Sequence, residues 1–269
     1  MKYLNGGELA EYVKERQAKE VRRLSGAKIQ PKLVIISEGQ NTVNDAYLKL
    51  KQKYGHDAGV EVELINTTNA IESKKAILKL NEDSNVHGII VQLPLVDEKT
   101  TDDVVNLIEP AKDVDGLGKD ADYDSATATA ILWLLSGYNV ELRGKKIVVV
   151  GQGKLVGAPL IKMLKSTGAE PDVLDENSQN FDEVVSNADV LITAAGHPGL
   201  IKASLLKTKA VVIDAGTASE GGQIRGDLAD EVYDREDITV TPKRGGLGPL
   251  TVSALFDNVI RAVRAKVAP

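Results

Sequence analysis

Short apolar runs alternate with longer stretches of helical period along nearly the whole chain, and no other feature limits the fold as much. Strands are expected at residues 32–36, 60–65, 88–92, 146–150, 172–174, 190–194, 210–214 and 238–241. Amphipathic helices are expected at 7–24, 43–58, 70–80, 101–108, 127–135, 155–166, 181–188 and 252–265. A helix between two strands returns the chain to the starting end of the sheet, so successive strands pair in parallel and the helices cover them. The alternation therefore predicts an α/β protein. It breaks at 109–125, where Pro, Gly and Asp gather, and this break is the expected domain junction. A chain of 269 residues is long enough for two cores. The expected division is a first domain of 1–124, with 252–269 packing back on it, and a second domain of 125–251.

Composition narrows the function. The 33 Lys and Arg against 39 Asp and Glu leave a net charge of −6, without the cationic surface that nucleic acid requires. The absence of Cys excludes disulfides, thiolate nucleophiles and Cys-bound zinc. His56, His87 and His197 do not combine with carboxylates at ligand spacing, so no metal is expected. No apolar run has the length of a membrane span, and no apolar stretch follows Lys2. The expectation is a cytoplasmic protein, without a membrane partner, that acts on a small molecule.

The run Ile147-Val148-Val149-Val150 leads into Gly151-Gln152-Gly153-Lys154-Leu155-Val156-Gly157 and then a helix. In this context glycines let the backbone approach a pyrophosphate, while the helix N-terminus offers amide N–H groups and a positive dipole end. The spacing departs from GxGxxG, because Val156 stands at the third glycine's place and Gly157 follows it; a plain strand–turn–helix has the same pattern. Asp175 ends the next strand, where a carboxylate accepts from ribose hydroxyls, although a helix N-cap is an equal reading. With no Arg nearby to receive a phosphorylated ribose, NAD is expected over NADP. Ala194-Ala195-Gly196 and Asp214-Ala215-Gly216 put small residues at later strand ends, where a flat cofactor can lie against the backbone.

In the first third, Tyr47 and Lys51 stand at i and i+4 on one helix face. Such a pair alone is usually an ordinary amphipathic helix, and it precedes the glycine loop, unlike the pair of short-chain dehydrogenases. Three further segments are more specific: His87-Gly88-Ile89-Ile90-Val91-Gln92-Leu93-Pro94-Leu95, Pro110-Ala111-Lys112-Asp113-Val114-Asp115-Gly116, and Gly245-Gly246-Leu247-Gly248-Pro249-Leu250-Thr251. In order and spacing they resemble the methylenetetrahydrofolate dehydrogenase/cyclohydrolase family, and the resemblance covers nearly the whole chain.

That resemblance implies an N-terminal α/β catalytic domain, a Rossmann-type dinucleotide-binding domain, a deep cleft between them and a homodimer. It implies a tetrahydrofolate substrate, a nicotinamide cofactor and a place in one-carbon metabolism. Lys51 is the implied central catalytic side chain, supported by Gln92, with Tyr47 stacked on the folate and Asp115 holding the pterin. Val91, Leu93, Pro94, Gly248, Pro249 and Thr251 are the other implied substrate contacts. Thr127, Gly151, Gln152, Gly153, Val156, Gly157, Asp175, Ala195, Gly196, Asp214 and Gly216 are the expected cofactor contacts. A carboxylate such as Asp115 suits the paired N–H donors of a pterin. A Lys with its pKa lowered by a dry site suits the deprotonation of an attacking water.

Several positions depart from the family pattern. Thr42-Val43-Asn44 replaces the usual Pro-Ala-Ser, and Ser125-Ala126-Thr127-Ala128 keeps only the Thr of Pro-Cys-Thr-Pro. Gln152-Gly153 replaces an Arg-Ser suited to a phosphorylated ribose, which again favours NAD. Lys243-Arg244 places two cations before Gly245, either solvated or directed at the folate tail or cofactor phosphates. The alternatives are retention of only one activity, a shikimate-type or amino-acid dehydrogenase, and a folate- or nucleotide-binding module without turnover.

Overall fold

The computed structural model describes residues 2–26, 28–39, 42–220 and 223–267; side chains at 42–46, 219, 220, 223 and 267 are outside that description. In chain order the elements are β1 (Lys2–Tyr3), α1 (Gly6–Gly26), β2 (Lys32–Glu38), α2 (Thr42–Ala58), β3 (Glu61–Thr67), α3 (Ala70–Glu82), β4 (Gly88–Gln92), α4 (Thr101–Val105), α5 (Ala126–Gly137), β5 (Ile147–Val150), α6 (Gly157–Ser166), β6 (Asp172–Leu174), α7 (Phe181–Ser186), β7 (Val190–Thr193), β8 (Val211–Asp214), β9 (Ala218–Glu220), β10 (Gln223–Arg225), β11 (Thr239–Val240) and α8 (Leu247–Val267). They form two units: Ala10–Ala126 with Val252–Pro269, and Met1–Leu9 with Thr127–Thr251.

The first unit is built on a parallel sheet in the order β3-β2-β4. Its central strand β2 is covered on both faces, which is why Leu33, Val34, Ile35 and Ile36 form an unbroken apolar run with no solvent exposure. The edge strand β3 instead shows Glu61 and Glu63, both paired with Lys32 at 3.0 and 2.6 Å. Helix α3 starts at Asn69, whose side chain accepts from the Ile71 and Glu72 N–H groups, and buries Ile77 against the sheet. At its other end the buried Lys112 donates to the Leu80, Asn81 and Asp83 carbonyls at 2.7, 2.8 and 2.7 Å. A cation at a helix C-terminus satisfies carbonyls that have no partner within the helix. From Val252 onward α8 also belongs here, with Phe256 against Tyr54 at a centroid distance of 4.9 Å. Asn258 of the same helix donates to the Val114 and Asp124 carbonyls.

The second unit holds a six-stranded parallel sheet in the order β1-β11-β8-β7-β5-β6. From β5 the chain passes through α6 to β6 on one side, then through α7 to β7 on the other. The strand order thus reverses between β5 and β7, the position at which open α/β sheets bind ligands beyond their carboxyl ends. β9 and β10 form a separate antiparallel pair.

Three features differ from the sequence expectations. Residues 1–9 were expected in the first domain, but they join the second unit. The reason is backbone pairing: β1 lies parallel to β11, Leu4 N–H donates to the Val240 carbonyl at 2.9 Å, and Gly7 N–H donates to the Gly245 carbonyl at 3.0 Å. Helix α6 starts two residues later than expected, because 151–156 form a loop that holds the strand end. Helix α8 starts earlier, at Leu247, since Pro249 falls in its first turn, where no amide donor is needed. Among the described residues no helix is long and apolar enough to cross a membrane.

Lys112 joins the 110–116 segment to the end of α3 through one ammonium group. Its replacement, Lys112→Met, leaves three carbonyls without that donor and is expected to lower unfolding stability by about 2–3 kcal/mol. Urea denaturation followed by circular dichroism measures the change.

Candidate functional site

Tyr47 and Lys51 rise from the middle of α2, and Leu48 between them is buried in the first unit's interior. Lys51 Nζ donates to Gln92 Oε1 at 2.9 Å. Gln92 is the last residue of β4, and its amide nitrogen donates onward to the Leu93 carbonyl at 3.2 Å. Asp115 follows a segment laid alongside β4 by a parallel bridge between Ile89 and Asp113. The buried Asp113 carboxylate accepts from the Gly116 and Gly118 N–H groups at 3.1 and 2.6 Å, closing the turn around Asp115.

Lys51 and Asp115 sense one another's charge. Burial lowers the Lys51 pKa from its ordinary ammonium range, and the Asp115 charge partly opposes that shift. Burial raises the Asp115 pKa, with Lys51 acting the other way. The Tyr47 phenol is also raised by burial, and stays neutral at physiological pH. This part of the first unit thus combines an amine whose charged form burial disfavours, an amide that holds it, a carboxylate and an aromatic ring.

Leu93 and Pro94 follow Gln92 in the next turn. Val91 differs in the direction of its side chain, which is 2% exposed and lies in the apolar core with Ile36 and Ile89. Period-two alternation explains this, since neighbours on a strand face opposite sides. The 93–96 turn has a further support, Glu38 at the end of β2. This buried carboxylate accepts from Val96 N–H at 3.1 Å and Ser73 Oγ–H at 2.9 Å. Of Thr42, Val43 and Asn44 only the helical backbone lies within the described residues.

Gly248 and Pro249 lie in the first turn of α8, in the second unit, and Thr251 begins the next, its Oγ1 lying 3.4 Å from the Leu247 carbonyl. Thr127 opens that unit as the second residue of α5. Lys243 forms an ion pair with Asp230 at 2.6 Å and lies 4.7 Å from the Tyr233 ring centre. Its charge is already engaged by a carboxylate, as a solvated surface pair.

In the second unit, Gly151 leaves β5 with a φ of +90° and Gly157 begins α6. A Cβ on Gly157 would overlap the Gly151 carbonyl, and one on Gly151 would lie 2.6 Å from the Ala194 carbonyl. The late glycine therefore performs the close-packing task that the sequence motif assigns one residue earlier, while Val156 becomes the residue before the helix. At Gly151 and Gly157 the loop backs directly onto the start of α6, a cradle that fits a pyrophosphate at a helix N-terminus.

Asp175 lies beyond the end of β6. Its Oδ2 accepts from Gln152 Nε2 at 2.7 Å; its Oδ1 accepts from Asn177 N–H at 2.9 Å and Ser178 Oγ–H at 3.0 Å. The Asn177 amide, then Ser178 and Gln152, hold its pKa below the ordinary carboxylate value. It does not cap α7, which starts after Asn180. Ala195 and Gly196 follow β7, and Gly216 follows β8. Asp214 sits at the end of β8 with its carboxylate turned to backbone donors: Gly216, Asp227 and Leu228 N–H at 3.0, 3.0 and 3.2 Å.

A parallel sheet with a glycine loop at its reversal defines a dinucleotide-binding architecture. Residues 125–267 match the NAD(P)-binding domain of tetrahydrofolate dehydrogenase/cyclohydrolase, and residues 4–115 match the catalytic domain of the same enzymes. The chain belongs to the tetrahydrofolate dehydrogenase/cyclohydrolase family. It is 35% identical to the bifunctional protein FolD of Acetivibrio thermocellus, over 98% of this chain and 97% of that one. Among solved structures, the Campylobacter jejuni bifunctional methylenetetrahydrofolate dehydrogenase/cyclohydrolase superposes with a TM-score of 0.92 at 29% identity, covering 99% of each chain. The Trypanosoma brucei enzyme, complexed with NADP cofactor and inhibitor, gives 0.91 at 27% identity, covering 99% of this chain and 98% of that one.

Gly157 tests the packing of the loop against the helix that follows it. Gly157→Ala is expected to weaken nicotinamide-nucleotide binding at least about tenfold, near 1.4 kcal/mol. Titration of protein fluorescence with the nucleotide measures the loss.

Proposed function

We propose that this chain oxidises methylene-tetrahydrofolate to methenyl-tetrahydrofolate with a nicotinamide cofactor, preferring NAD, and then hydrolyses the product to formyl-tetrahydrofolate. The family supports the reaction pair, and the grouping of Lys51, Gln92 and Asp115 is the observation on which the residue roles rest. The nicotinamide accepts the hydride when bound. Loss of that hydride leaves a resonance-stabilised N–C–N cation, so the chain's task in this step is placement rather than strong base catalysis. Asp115 accepts the pterin's paired N–H donors, and Tyr47 offers its ring face to the flat substrate.

Hydrolysis needs a proton removed from water as it attacks, and a proton delivered to the departing ring nitrogen. Lys51 is the group assigned to both tasks. Burial brings its neutral amine within reach below the ordinary lysine range, and the Gln92 carbonyl fixes its orientation.

The preference for NAD rests on Asp175 and Gln152. The carboxylate has about four acceptor positions, three of which are taken by Gln152, Asn177 and Ser178. One remains on the oxygen facing Gln152, enough for a ribose hydroxyl. A 2′-phosphate would meet negative charge there. A cytoplasmic homodimer completes the proposal, and light scattering reads its mass.

Lys51→Met is expected to reduce methenyl-tetrahydrofolate hydrolysis at least about 100-fold. The wild-type rate rises with pH through the lowered Lys51 value. Because the fold disfavours the charged amine, Lys51 diminishes stability below its folded pKa, and this effect fades as pH rises from there towards the unfolded value. Lys51→Met is therefore at least as stable as wild type at pH 7 by thermal melting. An unchanged hydrolysis rate in the folded variant removes Lys51 from the mechanism.

Absorbance assays with both nucleotides are expected to give a kcat/KM for NAD more than about tenfold above that for NADP, with Asp175→Ser narrowing the ratio. Equal use of both nucleotides by the wild type overturns the preference.

A further inference from the structure

Asp227 is fully buried in the second unit, and its carboxylate is bonded to the end of β7 and the turn that follows. Thr193 Oγ1–H and Ala195 N–H donate to Oδ2, the latter at 2.8 Å, and His197 N–H donates to Oδ1 at 2.7 Å. These donors span the end of β7 and the turn that follows. That turn is also the one against which Gly151 packs: a Cβ on Gly151 would lie 2.6 Å from the Ala194 carbonyl and 2.9 Å from Ala195 N. The glycine loop and the β7 turn thus share one surface, on the two strands that flank the reversal of the sheet.

Asp227 is itself held in place. Its N–H donates to Asp214 Oδ1 at 3.0 Å, and its carbonyl accepts from Ile201 N–H at 3.0 Å. Gly216 and Gly226 make the arrangement possible, since a Cβ on the first would overlap the Asp227 carboxylate and on the second the Asp214 carboxylate. Burial, with the Asp227 charge adding to it, pushes Asp214 up to about 6. Two carboxylates at this proximity have a repulsive cost, which backbone and hydroxyl donors offset.

We propose that Asp227 is a positioning residue for the nicotinamide cofactor: its carboxylate clips the 193–197 turn against the glycine loop and fixes the edge on which the nucleotide lies. The proposal rests on the reading of the second unit as the nucleotide-binding unit. Asp227 does not touch the reacting atoms. It acts through the backbone of Ala195 and His197, whose N–H groups an uncharged amide cannot both satisfy, because Asn offers one acceptor and one donor where Asp offers two acceptors.

The test compares wild type, Asp227→Asn and Thr193→Val as purified full chains. NAD affinity is measured by calorimetry and both half-reactions by absorbance, with methenyl-tetrahydrofolate supplied directly for the hydrolysis. The expected result for Asp227→Asn is at least about a tenfold loss of NAD affinity with a matching rise in KM for NAD. Its kcat at saturating NAD and its hydrolysis rate stay within about threefold of wild type. Thr193→Val removes one donor and keeps the shape, so it shifts NAD affinity in the same direction by a few-fold and serves where Asp227→Asn fails to fold. NAD affinity within twofold of wild type in the folded variants overturns the proposal, as does an equal loss of both half-reactions, which marks a general structural role. Failure of the wild type to bind either nucleotide overturns the nucleotide-binding reading and this proposal together.

Discussion

Parallel pairing is the constraint on which the rest of this protein depends. In a sheet whose strands all run one way, every strand delivers its last residue to the same edge. In the first unit this brings Glu38 and Gln92 to the ends of adjacent strands, with Lys51 reaching Gln92 from α2. In the second unit it brings Gly151, Asp175, Ala195 and Asp214 to one edge across β5, β6, β7 and β8. Residues as far apart in sequence as 151 and 214 come to the same edge without any contact between that pair.

Buried and half-buried carboxylates then fix the turns at those edges. Glu38, Asp113, Asp214 and Asp227 each spend their acceptors on backbone N–H or hydroxyl groups nearby, and each secures a segment next to a candidate binding residue. A turn lacks the repeating hydrogen bonds of a helix or sheet, so its conformation depends on such individual acceptors. The turns that carry the residues proposed to touch ligand thus rest on these carboxylates. Lys51 and Asp115 differ from these four, because their charges remain poised against burial rather than being wholly absorbed by backbone donors.

Much of this organisation was legible in the sequence, because periodicity is a local property. The apolar run ending at Ile36, stopped by Gly39, marks a strand, and the Gly151 loop announces itself by following another. The segments around Gln92 and Asp115 were specific enough to point to the family that the whole-chain comparisons establish. Long-range pairing was less legible. Nothing local marks Lys2–Tyr3 as an edge strand, since two residues have no measurable period, and their partner Thr239–Val240 lies at the far end of the chain.

Side-chain direction was the other quantity that sequence left open. The motif names both Val91 and Gln92, but only the folded strand shows that the Val91 side chain enters the core while Gln92 meets Lys51. Asp227 stood beside Gly226 with no sign of its role; only the folded chain brings Thr193, Ala195 and His197 to its carboxylate. By itself the sequence determined the α/β class, the two-unit plan, the glycine loop and the residue types available for chemistry, because these follow from local spacing and composition. Tertiary structure alone decided which sheet the N-terminus completes, which late glycine closes the loop on α6, and which acids hold the turns at the strand ends. Those outcomes depend on distances between residues far apart in the chain, which exist only after the strands have paired.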